Sequence, residues 1–271
     1  MRGTVILGIW CLGAVVSGCS KVSSEGLPTS KMYAELHVVQ TAAGAVKAQA
    51  RLRSDSVHSS TYVELQGGDD LIASITQPYG SISISGDLFG QLQEATHSYR
   101  MMTGGPQQGS SDLFFPDYSK VYDAELLLPD AAQPVFIGLH RDSQTSAPDS
   151  QAILPPPFEL IAPQAGETHA ANSDLTVAWS SATFGFTMVL TANSTCSDGS
   201  MSVSVQSITQ DQDTGSAMIP ATSLRSGIST SPCTVTVSLD RWQVGTLDTR
   251  FAGGSVRSHQ VRTATISVPA L

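Results

Sequence analysis

The sequence predicts an all-β protein with two domains, and this prediction rests on three features of the chain. Most segments alternate apolar and polar residues with a period of two, or are rich in β-branched residues. Clusters of Gly, Pro, Asn, Asp and Ser separate these segments. Three consecutive prolines at 155–157 interrupt the pattern, because a sheet cannot continue through residues that lack an amide donor. We therefore expect two tandem antiparallel β-sandwich domains, residues 31–154 and 155–271.

The first half contains five segments with this alternation. They are residues 33–39, 46–52, 61–65, 71–75 and 122–128. Gly67, Gly68, Asp69 and Asp70 stand between two of the segments and predict a hairpin, with both aspartates as turn residues. Residues 87–97 admit a short helix, although Gly90 and the absence of a 3.6-residue period argue against it.

The boundary between the halves is placed where the composition changes. Residues 143–157 are rich in Ser, Gln, Pro and Asp and end in the three prolines, which favour an extended, semi-rigid spacer. The alternative is that the prolines only end one strand and begin another strand of the same sandwich.

The second half resembles an Ig-like sandwich at its start. Residues 158–163, bounded by prolines, precede an alternating segment, 174–179, that ends in Trp179. This pattern is similar to the first two strands of fibronectin type III and related domains, and the resemblance implies that Trp179 packs in the core. Further strands are expected at residues 184–190, 201–205, 233–239 and 261–268. The order Trp179, Cys196, Cys233 differs from the Cys, Trp, Cys order of true immunoglobulin domains.

The N-terminus has the features of an export signal. Arg2 is followed by an apolar run from Val5 to Val16 and then by small residues. The run is too short to span a bilayer, so we expect residues 1–18 to be removed on export. Residues 19–30 are small, polar and interrupted by proline, which predicts a flexible tether.

The end of this signal resembles a lipid-attachment motif. Val16-Ser17-Gly18-Cys19 is similar to the lipobox of bacterial lipoproteins. The resemblance implies that Cys19 becomes the first residue of the mature chain and carries membrane lipid, which anchors the protein in the cell envelope. Ser20, rather than Asp, implies the outer membrane if the cell is Gram-negative. The alternative is an ordinary secretory signal in which Cys19 lies near the cut by chance.

The charge of the chain excludes one class of partner. The formal net charge is -9, and loss of Arg2 with the signal leaves 13 basic against 23 acidic residues, a net charge of -10. We expect no nucleic-acid partner, because binding to phosphates needs a basic surface. Positively charged surfaces are favoured as long-range partners.

Four cysteines have different expected fates. Cys11 leaves with the signal and Cys19 takes the lipid, so Cys196 and Cys233 remain as a pair in an oxidising compartment. A disulfide between these two is therefore expected. A metal site would need further ligands, and only Asp198 is close in sequence.

Other candidate sites are weak, and we expect no metal and no cofactor. Six histidines, His37, His58, His97, His140, His169 and His259, stand singly, without metal-binding or catalytic spacing. Asp211, Asp213 and Gly215 only partly match a calcium loop and indicate an exposed turn instead. Aromatic residues could form a carbohydrate platform or pack in the cores; the candidates are Tyr79, Phe114, Phe115, Tyr118, Trp242 and Phe251. Trp242 is the preferred candidate ligand contact.

Three functions fit these features. The preferred one is a non-enzymatic interaction or structural module of the bacterial envelope, with an envelope protein or polysaccharide as partner. The alternatives are an envelope hydrolase with a dispersed active site and a carbohydrate-binding surface module. Sandwich folds host all three, so the fold class does not choose between them.

Overall fold

The structure is a computed structural model, and it describes residues 21–41, 46–75, 98–103, 121–126, 133–180, 186–209, 214–225 and 229–271. These residues are nearly all in strands or loops, so the predicted all-β fold class is confirmed. Helical structure in the described part is limited to single 3-10 turns at Thr29–Lys31 and Ala221–Ser223. Residues 87–97, where the sequence admits a helix, lie outside the described residues.

Seventeen strands are present in the described residues, and every predicted strand segment overlaps one of them. They are β1 (Lys21–Ser23), β2 (Met32–Gln40), β3 (Val46–Ser54), β4 (Tyr62–Glu64), β5 (Asp70–Ser74), β6 (Ser98–Arg100), β7 (Met102–Thr103), β8 (Tyr122–Leu126), β9 (Pro134–His140), β10 (Ala147–Ile153), β11 (Leu160–Ala162), β12 (Leu175–Trp179), β13 (Thr187–Cys196), β14 (Met201–Ile208), β15 (Ser216–Ile219), β16 (Cys233–Val244) and β17 (Gly253–Val268).

The strands form three sheets. A ten-stranded sheet, here called the long sheet, has the order β1-β4-β3-β2-β17-β16-β13-β14, with β7 and β8 paired beside β3. A four-stranded sheet has the order β10-β9-β5-β6, and a three-stranded sheet has the order β11-β12-β15. β4 and β5 belong to different sheets, so the predicted hairpin at Gly67 and Gly68 is wrong. Both glycines have positive φ, and their turn carries the chain from one layer to the other.

Each smaller sheet packs on the long sheet and closes a hydrophobic core. The four-stranded sheet covers β2 and β3, because alternate residues of these strands are apolar and point inward. This first core includes Met32, Leu36, Leu52, Leu71, Ile137 and Leu139. The three-stranded sheet covers β13, β16 and the end of β17. This second core includes Phe158, Val177, Trp179, Leu190, Val237 and Ile266.

The second half has the strand arrangement of an Ig-like sandwich. Its first, second and fifth strands form the three-stranded sheet, and its third, fourth, sixth and seventh strands lie together in the long sheet. Trp179 is buried in the second core, as expected. The prediction of an Ig-like β-sandwich is therefore confirmed for this half.

β17 belongs to both halves of the molecule. It pairs antiparallel with β16, and over residues 253–260 it also pairs in parallel with β2. Its even-numbered side chains share one face, so Val256 enters the first core and Ile266 enters the second. The first core thus takes residues from both sides of the predicted division near residue 155, and the hydrogen-bond ladder crosses it as well. The division into separate domains stays a prediction.

The proline segment that was expected to act as a spacer packs on this inner face of the long sheet, between the two cores. Prolines have no amide donor, but the carbonyls of this segment accept hydrogen bonds from side chains of β16 and β17. The bonds are Ser258 Oγ to Ile153 O (2.5 Å), Gln260 Nε2 to Pro155 O (3.2 Å), Arg241 Nη1 to Pro156 O (3.1 Å) and Arg262 Nε to Phe158 O (2.8 Å). The segment is therefore bound to the sheet at four carbonyls between Ile153 and Phe158.

The segment predicted as a flexible tether is ordered from Lys21 onward. β1 pairs in parallel with β4, and Ser24 and Thr29 are buried. The cause is Arg141, whose guanidinium is fully buried and donates to the carbonyls of Ser24 and Leu27. Arg141 Nε also lies 2.7 Å from Asp69 Oδ2. Asp69 is thus a turn residue, as predicted, and in addition the buried counter-ion of Arg141.

Candidate functional site

Two histidines and one aspartate form a hydrogen-bonded chain on the outer face of the long sheet. His37 lies on β2, His259 on β17 and Asp240 on β16, and the side chains share this face because the three strands are neighbours. His37 Nδ1 is 2.9 Å from His259 Nε2, and His259 Nδ1 is 2.9 Å from Asp240 Oδ2. The two rings are stacked with centroids 5.1 Å apart. We call these residues the histidine chain.

The environment of the histidine chain keeps His37 neutral. Burial, followed by the charges of His259, Arg257 and Arg51, lowers the pKa of His37 from 6.5 to about 3. Asp240 accepts the Nδ1 proton of His259. In the bond between the two rings, His37 Nδ1 therefore supplies the N–H and His259 Nε2 supplies the lone pair.

The histidine chain has the connectivity of a catalytic relay but the properties of a structural one. A general base works best when its pKa is near the working pH, and about 3 is far below neutrality. His37 and His259 are only 8% and 2% exposed, so a substrate does not reach them in this conformation. What the arrangement does is hold β2, β17 and β16 together by side-chain bonds in addition to the backbone ladder.

Trp242, the preferred candidate ligand contact, lies on the same face, opposite His259 on the neighbouring strand. It is half-buried, and the guanidinium of Arg257 lies 4.9 Å from its ring centroid. Phe251, a second aromatic candidate, is buried in the first core and is a packing residue. Tyr79, Phe114, Phe115 and Tyr118 lie outside the described residues.

The expected disulfide is present. Cys196 at the end of β13 and Cys233 at the start of β16 are direct cross-strand neighbours, and their sulfurs are 2.01 Å apart. Both residues are buried in the second core. Asp198 serves the adjacent turn, where it accepts hydrogen bonds from Ser200 and Ser229. The bond therefore joins two neighbouring strands of the long sheet.

β14, at one end of the long sheet, carries an exposed apolar row. Met201, Val203 and Val205 point to the outer face and are 61–70% exposed. Ser202 and Gln206 point inward and donate to carbonyls of Ser223 and Met218. Within the described ranges, β14 pairs with β13 alone, so its other edge has no strand partner there. The strand has no charged residue and no proline. We call this feature the β14 edge.

Several sequence predictions concern residues that the structure does not describe. They are the signal at residues 1–18, the lipidation residue Cys19, and Asp211 and Asp213. In the part of the chain that is described, no three His, Cys, Asp or Glu side chains are grouped so that they could hold a metal ion. Nor does that part contain a helix long and apolar enough to cross a membrane.

Comparison with known proteins gives no family. No protein-family model matches the chain, and no curated protein gives a significant match. Among solved structures, the crystal structure of DIP-gamma IG1+IG2 covers 88% of this chain and 96% of its own, at 8% identity and a TM-score of 0.21. The calcium binding domain CBD12 of CALX1.1 covers 88% and 99%, at 8% identity and a TM-score of 0.22. With scores this low, neither likeness bears on the function.

Sequence reasoning missed the histidine chain and Arg141. His37 and His259 are 222 positions apart, and they meet only because β2 and β17 pair in parallel. Arg141 and Asp69 are 72 positions apart. No spacing rule for local motifs reaches across such distances, so neither group has a signal in the sequence.

Proposed function

We propose that the chain is a lipid-anchored, non-enzymatic interaction module of the bacterial envelope. The lipobox-like Val16-Ser17-Gly18-Cys19 supports the anchor, and Ser20 supports the outer membrane as its destination in a Gram-negative cell. The burial of both histidines and the low pKa of His37 support a structural rather than a catalytic use of the histidine chain.

The β14 edge is the proposed binding surface, and its exposed apolar row is the observation that carries the proposal. Soluble proteins protect edge strands with charges, prolines or bulges, because an unpaired edge accepts a further strand. β14 has neither charge nor proline. Its row of Met201, Val203 and Val205 would lie beside the apolar residues of an added strand. Strand addition of this kind is a common way for a sheet to bind an extended peptide.

The proposed occupant is an extended, uncharged segment of a net basic protein. The mature chain carries a net charge of -10, so two copies repel each other at long range, whereas a basic partner is attracted. The segment itself needs alternating apolar residues to match the row on β14. Pairing between two copies of β14 is the competing arrangement. It differs from peptide binding because it depends on the concentration of the protein itself.

The anchor is tested by replacing Cys19 with Ser. The unmodified protein should partition into detergent and, after processing, begin at Cys19. The Cys19→Ser protein should remain a slower-migrating precursor or appear as a soluble product. If Cys19→Ser protein is processed and membrane-bound like the unmodified chain, the lipid anchor is wrong.

The surface is tested with a short peptide of alternating Val and Ser flanked by Lys. We expect the peptide to slow hydrogen exchange in β14, while the same peptide with a central Pro does not, because Pro removes a ladder hydrogen bond. Val203→Lys should abolish the protection. Thr234→Lys, also exposed but on β16, is the matched control and should retain it. Protection that develops without peptide as protein concentration rises would indicate pairing between copies and contradict the proposed occupant.

An envelope hydrolase is the second candidate, and the connectivity Asp240, His259, His37 is the observation in its favour. Turnover would require an opening that brings substrate to His37. A panel of ester, peptide, glycan and phosphoester substrates tests this candidate. Turnover that disappears in both His37→Gln and His259→Gln, with folding retained, would establish the hydrolase; we expect none.

A further inference from the structure

Because the N-terminal segment has regular structure from Lys21 onward, the fold must lie close to the proposed lipid. β1 begins at Lys21, and only Ser20 separates it from Cys19. Consecutive residues span at most about 3.6 Å each, so the Cα atoms of Cys19 and Lys21 are at most about 7 Å apart. The polar layer of one bilayer leaflet is about 6 Å thick. No flexible spacer is therefore available to lift the fold away from the lipid surface.

The pairing of the strands defines which part of the fold lies near Lys21. Lys21 is opposite Tyr62 on β4, and Tyr62 is opposite Arg53 near the end of β3. β2 begins at the same end, because Met32 is opposite Ser54. We call this part, which comprises Lys21, residues 31–33, residues 53–62 and Gly253, the β1 end of the long sheet.

The β1 end has side chains that suit a lipid headgroup layer. Lys21 and Lys31 are exposed, and the rings of Tyr33 and Tyr62 are half-buried. Lysine ammonium groups bind lipid phosphates, and tyrosine rings favour the boundary between water and acyl chains. Asp55 is exposed at the same end, and Glu64 is paired with Lys21 at 3.0 Å.

β17 sets the direction of the rest of the molecule. It runs parallel to β2 and therefore starts at the β1 end, where Gly253 is opposite Tyr33. Its 16 residues then extend away from that end to Val268 in the second core. At about 3.3 Å per residue the strand is about 50 Å long. The Ig-like half thus lies at the opposite end of a continuous strand.

We propose that the β1 end sits directly on the membrane surface and that β17 serves as the rigid spacer that presents the Ig-like half, with the β14 edge, away from the membrane. This orientation rests on the proposed lipidation of Cys19. In place of a flexible tether, the distance from the membrane is set by the length of one strand.

The test uses lipidated full-length protein in phospholipid vesicles that contain nitroxide-labelled lipid. Cys196 and Cys233 are bonded and Cys19 would carry lipid, so one added cysteine is the single free thiol for a fluorophore. Ser60→Cys lies at the β1 end, and Ser267→Cys lies near the end of β17; both serines are exposed. His58→Cys, also exposed, replaces Ser60→Cys if that variant does not fold.

We expect the label at position 60 to lose most of its fluorescence and the label at position 267 to lose none. A long flexible Gly/Ser spacer inserted between Ser20 and Lys21 should restore the fluorescence at position 60. Vesicle-bound protein with equal quenching at both positions, or with none at position 60, would overturn the orientation and leave the anchor intact. Protein that does not bind vesicles would overturn the anchor, and the orientation with it.

Discussion

His37 Nδ1 and His259 Nε2 are 2.9 Å apart, although the residues are separated by 222 positions. The contact joins β2 to β17. It is buried, and Asp240 extends it by one further hydrogen bond. β2 and β17 are therefore joined by a buried side-chain contact in addition to their backbone ladder.

Stability should fall in acid because of His37. Its pKa is lowered from 6.5 to about 3, mainly by burial, so the folded state binds its proton less well than the unfolded state. The stabilisation is complete above about pH 6.5 and is lost as the pH falls towards 3. At about pH 4.5 the loss is about 2–3 kcal/mol. Denaturant unfolding of His37→Gln should show a smaller fall between about pH 7.5 and pH 4.5. His58→Gln, at an exposed position, should lose as much unfolding free energy between these pH values as the unmodified protein does. An equal loss in all three proteins would contradict the role of His37.

The ion pair between Arg141 and Asp69 should matter far more than the one between Lys21 and Glu64. The first pair is buried, and Asp69→Asn leaves the Arg141 guanidinium uncompensated at a cost of about 3–5 kcal/mol. The second pair is exposed, and Lys21→Ala should cost less than about 1 kcal/mol. Denaturant unfolding measures both. Similar losses of unfolding free energy in the two variants would contradict the prediction that Asp69 compensates a buried charge on Arg141.

The disulfide should stabilise the second core. It closes a loop of 37 positions, for which chain entropy predicts about 4 kcal/mol. The double variant Cys196→Ser, Cys233→Ser should melt at a lower temperature, and reduction of the unmodified protein should reproduce that shift. A non-reduced digest should contain the two peptides linked. Two alkylatable thiols in protein isolated without reductant would refute the bond.

Residues 155–271 expressed alone should not remain monomeric. Removal of β2 leaves the edge of β17 unpaired over residues 253–260 and exposes Phe251 and Val256, which pack in the first core. Sedimentation of the fragment beside the full chain provides the measurement. A stable monomeric fragment with native hydrogen-exchange protection in β17 would instead show that the Ig-like half is independent.

The strands could be predicted from the sequence because alternation is a local signal. A strand with one face in a core repeats its polarity every two residues, and this is visible in β2, β3 and β16 without knowledge of their partners. The disulfide was predictable for a different reason, since Cys196 and Cys233 were the two thiols left once Cys11 was assigned to the expected signal and Cys19 to the expected lipid.

The pairing of distant strands could not be predicted in the same way. Nothing in the composition of β17 identifies β2 as its neighbour, and parallel pairing across more than two hundred residues has no turn to mark it. The same limit applies to the proline segment. Its composition indicates a spacer, but the donors that bind it, such as Gln260 and Arg262, are on a strand about a hundred positions later.

β17 pairs with a strand of each half, and this also limits the order in which the protein can fold. The edge of β2 that receives residues 253–260 stays unpaired until those residues, more than two hundred positions after β2, have been synthesised. Contacts of such long sequence separation form slowly, since closing the intervening loop costs entropy before any contact compensates for it. Until β17 arrives, the first half is therefore an incomplete sheet with an unpaired edge on β2. On the proposed export route, a holding chaperone or rapid translocation would have to bring β17 to β2 before another chain pairs with that edge.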